Sequence, residues 1–137
     1  MKQTIKTAAV VLVCTMSLAS CKKDKENPII TISSPENHSD IMQGGTIEAK
    51  ATFTDDKELA KYHVHIGDVD GEHVHDFHDA EFTGDLTDES FEFSQTISIP
   101  DSLSMDVYYL HFFVTDAEGK ESTEKLMLHK HGGSHDH

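Results

Sequence analysis

Short segments in which hydrophobic and polar residues alternate dominate the chain between Pro28 and Lys130. In residues 46–54 every second side chain is apolar, and residues 91–99 repeat this pattern up to Pro100 except at Gln95. A period of two places the apolar side chains on one face of a half-buried β-strand. Turn-forming residues such as Gly44-Gly45 separate the segments, and no segment has the spacing of an amphipathic helix. The pattern predicts an all-β domain.

The number and spacing of the segments favour an immunoglobulin-like β-sandwich of about seven antiparallel strands over residues 29–130. Residues 107–115 form the most apolar segment and are predicted to be a central strand. A turn at residues 116–120 leads into the last strand, residues 122–129. In an immunoglobulin-like order, the strand around residues 62–66 lies beside 107–115, which in turn lies beside 122–129.

Histidine is concentrated in residues 63–78, which have the sequence HVHIGDVDGEHVHDFH. Alternation along Tyr62–Ile66 places His63 and His65 together on the face opposite Tyr62, Val64 and Ile66. Neutral imidazole binds zinc, copper and nickel, so two imidazoles on one solvent-facing surface are half of a metal site. The metal-ligand candidates in this stretch are His63, His65, His73, His75, Asp76 and His78.

The dipeptide Asp70-Gly71 is a strong signal for a two-residue hairpin turn. A hairpin centred there places His63 opposite His78 and His65 opposite Asp76, which groups three imidazoles and a carboxylate. A four-residue loop instead places His63 opposite Asp76. The sequence leaves both registers open.

Further histidines lie near the end of the chain. If Leu110 and Leu126 point into the core, His111 and His129 share the solvent-facing surface of the sheet with His63 and His65. Residues 131–137 are rich in glycine and polar residues, which predicts a flexible tail. His131, His135 and His137 are metal-ligand candidates in that tail.

The first 21 residues have the pattern of a bacterial lipoprotein signal. Lys2 and Lys6 precede an apolar segment at residues 8–16, and the segment ends in Leu18-Ala19-Ser20-Cys21, which closely resembles a lipobox. We therefore expect residues 1–20 to be a signal peptide, Cys21 to carry lipid, and residues 21–28 to be a charged linker. The expected location is the bacterial cell envelope, on the outer membrane or the periplasmic face.

Charge and cysteine content narrow the possible ligands. Removal of residues 1–20 takes away Lys2, Lys6 and no acidic residue, so the net charge of −14 becomes −16 with His neutral. Such a chain repels nucleic acid and attracts cations. Cys14 lies in the signal and Cys21 carries lipid, so disulfides, thiolate metal sites and cysteine nucleophiles are not expected.

Three segments resemble bacterial immunoglobulin-like domains: residues 28–35, residues 53–59 and residues 108–122. Together with the lipobox and the histidine-rich middle, they make the chain similar to a family of small Bacteroidetes lipoproteins that contain a domain of unknown function of the DUF4625 type. The resemblance covers most of the chain after Cys21. It implies the fold and the location, and it implies almost nothing about activity.

These observations predict an envelope lipoprotein that binds a divalent transition metal for scavenging, delivery or sensing. Imidazole and carboxylate ligands point first to Zn²⁺, with Cu²⁺ or Ni²⁺ next. The expected partners are the metal ion, the membrane through the N-terminal lipid, and another envelope protein of metal transport. We expect no enzyme, because an exposed histidine face offers no evident pocket and no nucleophile motif is present. The alternative is a non-catalytic module that binds another envelope protein or a glycan.

Overall fold

The computed structural model describes residues 26–132, which form eight β-strands and one short 3-10 turn. The turn spans His75–Phe77. The strands are β1 (Ile29–Ser34), β2 (Ser39–Ile41), β3 (Thr46–Thr54), β4 (Leu59–Gly67), β5 (Glu81–Asp85), β6 (Ser90–Ser98), β7 (Val107–Asp116) and β8 (Glu121–Lys130).

The strands form two sheets, with the order β1-β3-β6 in one and β2-β8-β7-β4-β5 in the other. This arrangement confirms the predicted all-β immunoglobulin-like sandwich. The pairing of β2 with β8 is parallel, whereas the other pairings are antiparallel, so the prediction of uniformly antiparallel strands was wrong at this edge.

Two short strands, β2 and β5, are those whose positions the alternation pattern did not predict. Strand β2 has only three residues, too few to show a period of two. Strand β5 has glycine at an inward position, because Gly84 pairs with Tyr62. A Cβ atom at position 84 would lie 2.6 Å from a carbon of the Tyr62 ring, so the ring fills the space that a larger residue would need.

The core lies between the sheets and is built from the predicted inward positions. Tyr108, Leu110, Phe112 and Val114 of β7 are fully buried. Phe112 meets Phe53 of the opposite sheet, with ring centroids 6.3 Å apart. Because these apolar side chains point inward, the alternate residues of β7 lie on the outer face of the five-stranded sheet.

Strands β4, β7 and β8 are neighbours, as the immunoglobulin-like order predicts. Their register aligns His65 with His111 and His111 with Lys125. A row of three basic side chains therefore crosses the outer face of the sheet. This row forms the base of the candidate metal centre.

Several predicted features lie outside the described residues. They are the signal peptide, Cys21 with its lipid, and the tail histidines His135 and His137. Between residues 26 and 132, no helix has the length and apolar character needed to cross a membrane.

Candidate metal centre

The chain after β4 does not form the predicted hairpin. Strand β4 pairs instead with β5, which places His63 opposite Thr83 and His65 opposite Glu81. Both predicted registers, His63 with His78 or with Asp76, were therefore wrong. A turn does form at the predicted position, where Gly71 has a φ of +88° and Asp68 N–H donates to Glu72 O at 3.0 Å.

The pairing that begins at the turn stops early, because the residues that would form the second arm of the hairpin include a core residue. Only one bridge, Gly67 with His73, follows the turn before the chain leaves the sheet. Phe77 is then buried against Tyr108, with ring centroids 5.1 Å apart. Burial of this aromatic side chain favours a path across the end of the sheet over a second exposed strand. We call this segment, residues 74–80, the excursion. The chain returns to β4 only at Glu81.

This path brings His63, His73 and Glu81 together. The ligand atoms of the three side chains all lie within 4.8 Å of one another. Glu81 Oε1 is 2.9 Å from His63 Nε2 and 3.9 Å from His73 Nε2. His63 was predicted from the strand pattern and His73 from the second His-x-His pair, but Glu81 was not predicted. Two imidazoles and one carboxylate are a donor set that zinc accepts, so this group could hold a metal ion.

The Nε2 atom of His63 lies at the centre of this group and is shielded from water. It faces Glu81 Oε1 at 2.9 Å, a contact that is poorly aligned for a hydrogen bond. A metal ion between the ring nitrogen and the carboxylate would bind both. The other two ligand side chains are accessible to solvent, because His73 and Glu81 are 52% and 45% exposed.

His65 and His111 hold the loop that carries His73. His65 Nε2 donates to Gly71 O at 2.9 Å, and His111 Nε2 donates to Asp68 O at 2.7 Å. Lys125 Nζ donates to Val69 O at 2.9 Å. A carbonyl oxygen only accepts, so each imidazole carries its proton on Nε2 when neutral. The row across β4, β7 and β8 thus anchors residues 68–71 by three hydrogen bonds, and we call it the loop clamp.

The loop clamp also packs directly beneath the metal-ligand candidates. The His65 ring centroid lies 4.7 Å from that of His63 and 4.5 Å from that of His73, in stacked arrangements. His65 is 2% exposed and His111 is 6% exposed. Their Nε2 atoms are occupied by the loop, so in this geometry both residues position the site rather than point that nitrogen at a metal.

Burial lowers the pKa of His65 and of His111 from the ordinary histidine value, because the charged ring loses hydration beneath the loop. Their hydrogen bonds to Gly71 O and Asp68 O oppose this effect only in part. Both rings are thus neutral in the folded protein over a wider pH range than in the unfolded chain.

We expect acid to destabilise the metal-free protein through these two residues. Below pH ~6.5 the unfolded chain binds protons that the folded chain excludes, so the free energy of unfolding falls as pH decreases. Thermal melting with a chelator between pH 7.5 and 5.5 measures this slope. The His111→Gln variant, which keeps a side-chain donor but does not titrate, should show a shallower slope. A melting temperature that is constant or rises in acid would contradict the assignment.

Asp76 does not join the metal-ligand group. Its Oδ2 atom accepts hydrogen bonds from Ser104 N–H at 2.9 Å, Ser104 Oγ at 2.6 Å and Tyr108 OH at 2.5 Å. The bonds from Ser104 and then from Tyr108 lower the pKa of Asp76. Asp76 therefore ties the excursion to the segment before β7. His75 and His78 lie on the same excursion, where His78 contacts Asp79 and the His75 carbonyl oxygen.

Replacement of Asp76 by Ala should destabilise the fold and leave zinc binding intact. The buried Tyr108 hydroxyl would lose its acceptor, which costs about 1–3 kcal/mol of unfolding free energy. Chemical denaturation and zinc titration of the same variant measure the two effects. A normal unfolding free energy together with weakened zinc binding would instead make Asp76 a metal ligand.

His129 and His131 lie on the predicted outer face but far from His63. His129 pairs with Val107, whereas His63 pairs with Phe113, so the two histidines are six residues apart along β7. At 3.3 Å per residue this separation is about 20 Å. His129 instead contacts His38, a residue that the sequence pattern did not single out.

An open groove of about 670 Å³ runs beside His63, His73 and Glu81. Tyr62 and Phe113 contribute aromatic surface, and Lys61, Thr83, Thr115 and Glu121 contribute polar groups. The expectation that the histidine face has no pocket was therefore wrong. The groove lies along the pairing of β4 with the short strand β5.

Fold and site together define a small immunoglobulin-like sandwich that carries a histidine and glutamate cluster able to hold a metal. The chain belongs to the family described as domain of unknown function DUF4625, whose family model matches residues 16–129. No curated protein matches the chain.

Solved structures are similar to the chain at low sequence identity. The wild-type OgpA structure from Akkermansia muciniphila is 15% identical with a TM-score of 0.52, covering 77% of this chain and 29% of OgpA. Spo0M, a sporulation control protein of Bacillus subtilis, is 11% identical with a TM-score of 0.41, covering 77% of this chain and 49% of Spo0M. A beta-glucosidase from Listeria innocua in complex with glucose is 9% identical with a TM-score of 0.43, covering 75% of this chain and 16% of the enzyme. The chain thus spans less than half of each of these proteins, and the likeness to OgpA shows the fold alone.

Proposed function

We propose that the protein binds a divalent transition metal, with Zn²⁺ first and Cu²⁺ or Ni²⁺ next, through His63, His73 and Glu81. The proposal rests on the convergence of three ligand atoms within 4.8 Å, among them the shielded His63 Nε2, which lies 2.9 Å from Glu81 Oε1. The absence of thiol ligands after Cys21 and the presence of imidazole and carboxylate favour zinc.

The exposure of the ligands supports a role in metal exchange rather than in holding the fold together. Structural zinc sites usually close the metal inside four protein ligands. Here three side chains converge at the surface beside an open groove, and the sandwich has its own apolar core. A fourth position would remain available to water or to an incoming ligand. Such a site suits scavenging, delivery or sensing of the metal.

The proposed setting is the bacterial cell envelope, with the protein anchored through lipid on Cys21. The net charge of −16 that remains after removal of Lys2 and Lys6 with residues 1–20 favours the accumulation of cations near the surface. The proposed partner is an envelope protein of metal transport, which could supply the fourth ligand during transfer. We propose binding without catalysis, because no nucleophile is positioned by a base in the groove lining.

Equilibrium dialysis of the full chain against Zn²⁺ tests this function, with Mg²⁺ as the control ion. We expect zinc retention at pH 7.5 and its loss at pH 5, because protons compete for imidazole ligands below pH ~6.5. Zinc retention that is unchanged at pH 5 would contradict imidazole ligation. A lack of zinc binding at pH 7.5 would overturn the proposal and favour a module that binds an envelope protein or a glycan.

A further inference from the structure

A second group of histidines lies at the opposite edge of the same sheet. Strand β2 pairs in parallel with β8 and places Asp40 beside His129. Ile41 and Leu128 are fully buried, so the alternate residues Asp40 and His129 face outward. His131 follows His129 by two residues, and its Nδ1 lies 3.7 Å from Asp40 Oδ2.

His38 completes this group through an uncommon backbone conformation. Its φ is +67°, a left-handed value that histidine adopts more readily than most residues other than glycine. His38 N–H donates to Met127 O at 2.8 Å, and Asn37 Oδ1 accepts from Met127 N–H at 2.9 Å. These two bonds fix the segment before β2 against β8 and direct the His38 ring toward His129.

The two imidazoles are close enough to share one ion. His38 Nδ1 and His129 Nε2 are 3.1 Å apart, with ring planes inclined by 17°. In the metal-free protein, one nitrogen must donate a proton to the other, because two lone pairs would repel. Zinc–nitrogen bonds are about 2.0–2.1 Å long, so two ring nitrogens on one zinc ion lie at most about 4.2 Å apart. Small rotations of these accessible rings would let both lone pairs converge on an ion.

We infer that His38 and His129 form a second binding site for a divalent transition metal, with Asp40 and His131 as the adjacent donors. Three imidazoles and a carboxylate are a donor set suited to zinc and copper. This site shares no residue with the His63, His73 and Glu81 group and lies about 20 Å from it along the sheet. Either site could therefore fail without the other, and two sites would double the metal capacity of each chain.

Zinc stoichiometry at pH 7.5 tests the inference in the full chain. All variants carry His135→Asn and His137→Asn, so that the tail contributes no imidazole. We expect two bound zinc ions in this background and one after His38→Asn with His129→Gln. Asparagine tolerates the left-handed conformation at position 38, so the fold should persist. The His63→Ala with His73→Ala variant should also bind one ion, and the combination of all four substitutions should bind none.

A matched control replaces two histidines outside both groups, His75→Asn and His78→Gln, and should leave two ions bound. NMR of the imidazole nitrogens gives a readout that does not depend on stoichiometry. On zinc addition to the His63→Ala, His73→Ala protein, the His38 and His129 ring signals should shift together. If those signals stay unchanged, or if His38→Asn with His129→Gln leaves the zinc count unaltered, the pair is only a hydrogen bond and the inference is overturned.

Discussion

Replacement of both His63 and His73 by Ala is expected to lower zinc affinity by at least about 100-fold, since even an outer-shell partner of a metal ligand is worth about 10- to 100-fold. The two side chains supply two of the three donors that converge within 4.8 Å. Both are partly exposed, at 33% and 52%, so their removal should leave little cavity in the core. Isothermal titration with Zn²⁺ measures the affinity, and thermal melting with a chelator checks the fold.

The matched control comes from the same histidine-rich stretch. His75 and His78 lie on the excursion between β4 and β5, outside the converging group. Their double replacement by Ala removes the same number of imidazoles and should leave zinc affinity within about 3-fold of the original, about 0.65 kcal/mol. Equal losses in the two double variants would show that zinc binds diffusely to a histidine-rich surface and would contradict a defined site.

Replacement of His65 by Ala should lower zinc affinity by about 10- to 100-fold, although His65 Nε2 is directed at the loop. His65 donates to Gly71 O and stacks against both His63 and His73. Without this ring, the loop loses one of its three anchoring bonds and His73 loses the surface that supports it. Zinc binding would then have to order the ligands itself, and this cost would reduce the net binding free energy.

The His65→Gln variant separates positioning from direct ligation. A glutamine amide can donate to Gly71 O as the imidazole does, so this variant should recover much of the lost affinity. His111→Gln should behave in the same way, because His111 donates to Asp68 O. If His65→Gln binds zinc as weakly as His65→Ala while both melt normally, His65 is itself a ligand through its unpartnered Nδ1.

The outer face of the sheet was predictable from the sequence because it depends on local alternation. The period of two around Tyr62–Ile66 and around Tyr108–Val114 fixed which side chains point into the core. The immunoglobulin-like order then predicted that His65 and His111 would share the outer face of neighbouring strands, and the structure pairs them across β4 and β7. Inward burial and strand order were sufficient for this part of the site.

The rest of the site depends on long-range packing that leaves no periodic signal. Asp70-Gly71 does form a turn, but burial of Phe77 directs the chain away from β4 after His73. Glu81 joins the site because the excursion returns to β4 at this residue. The length of the excursion cannot be predicted from the alternation of apolar and polar residues. His38 and His129 are 91 residues apart and meet through a three-residue parallel strand.

Anomalous diffraction at the zinc absorption edge, from crystals of the zinc-loaded protein, locates bound zinc ions directly. We expect a peak about 2.0–2.2 Å from nitrogens of His63 and His73 and from a carboxylate oxygen of Glu81. A zinc-loaded crystal without a peak between these three side chains would contradict zinc binding at this site.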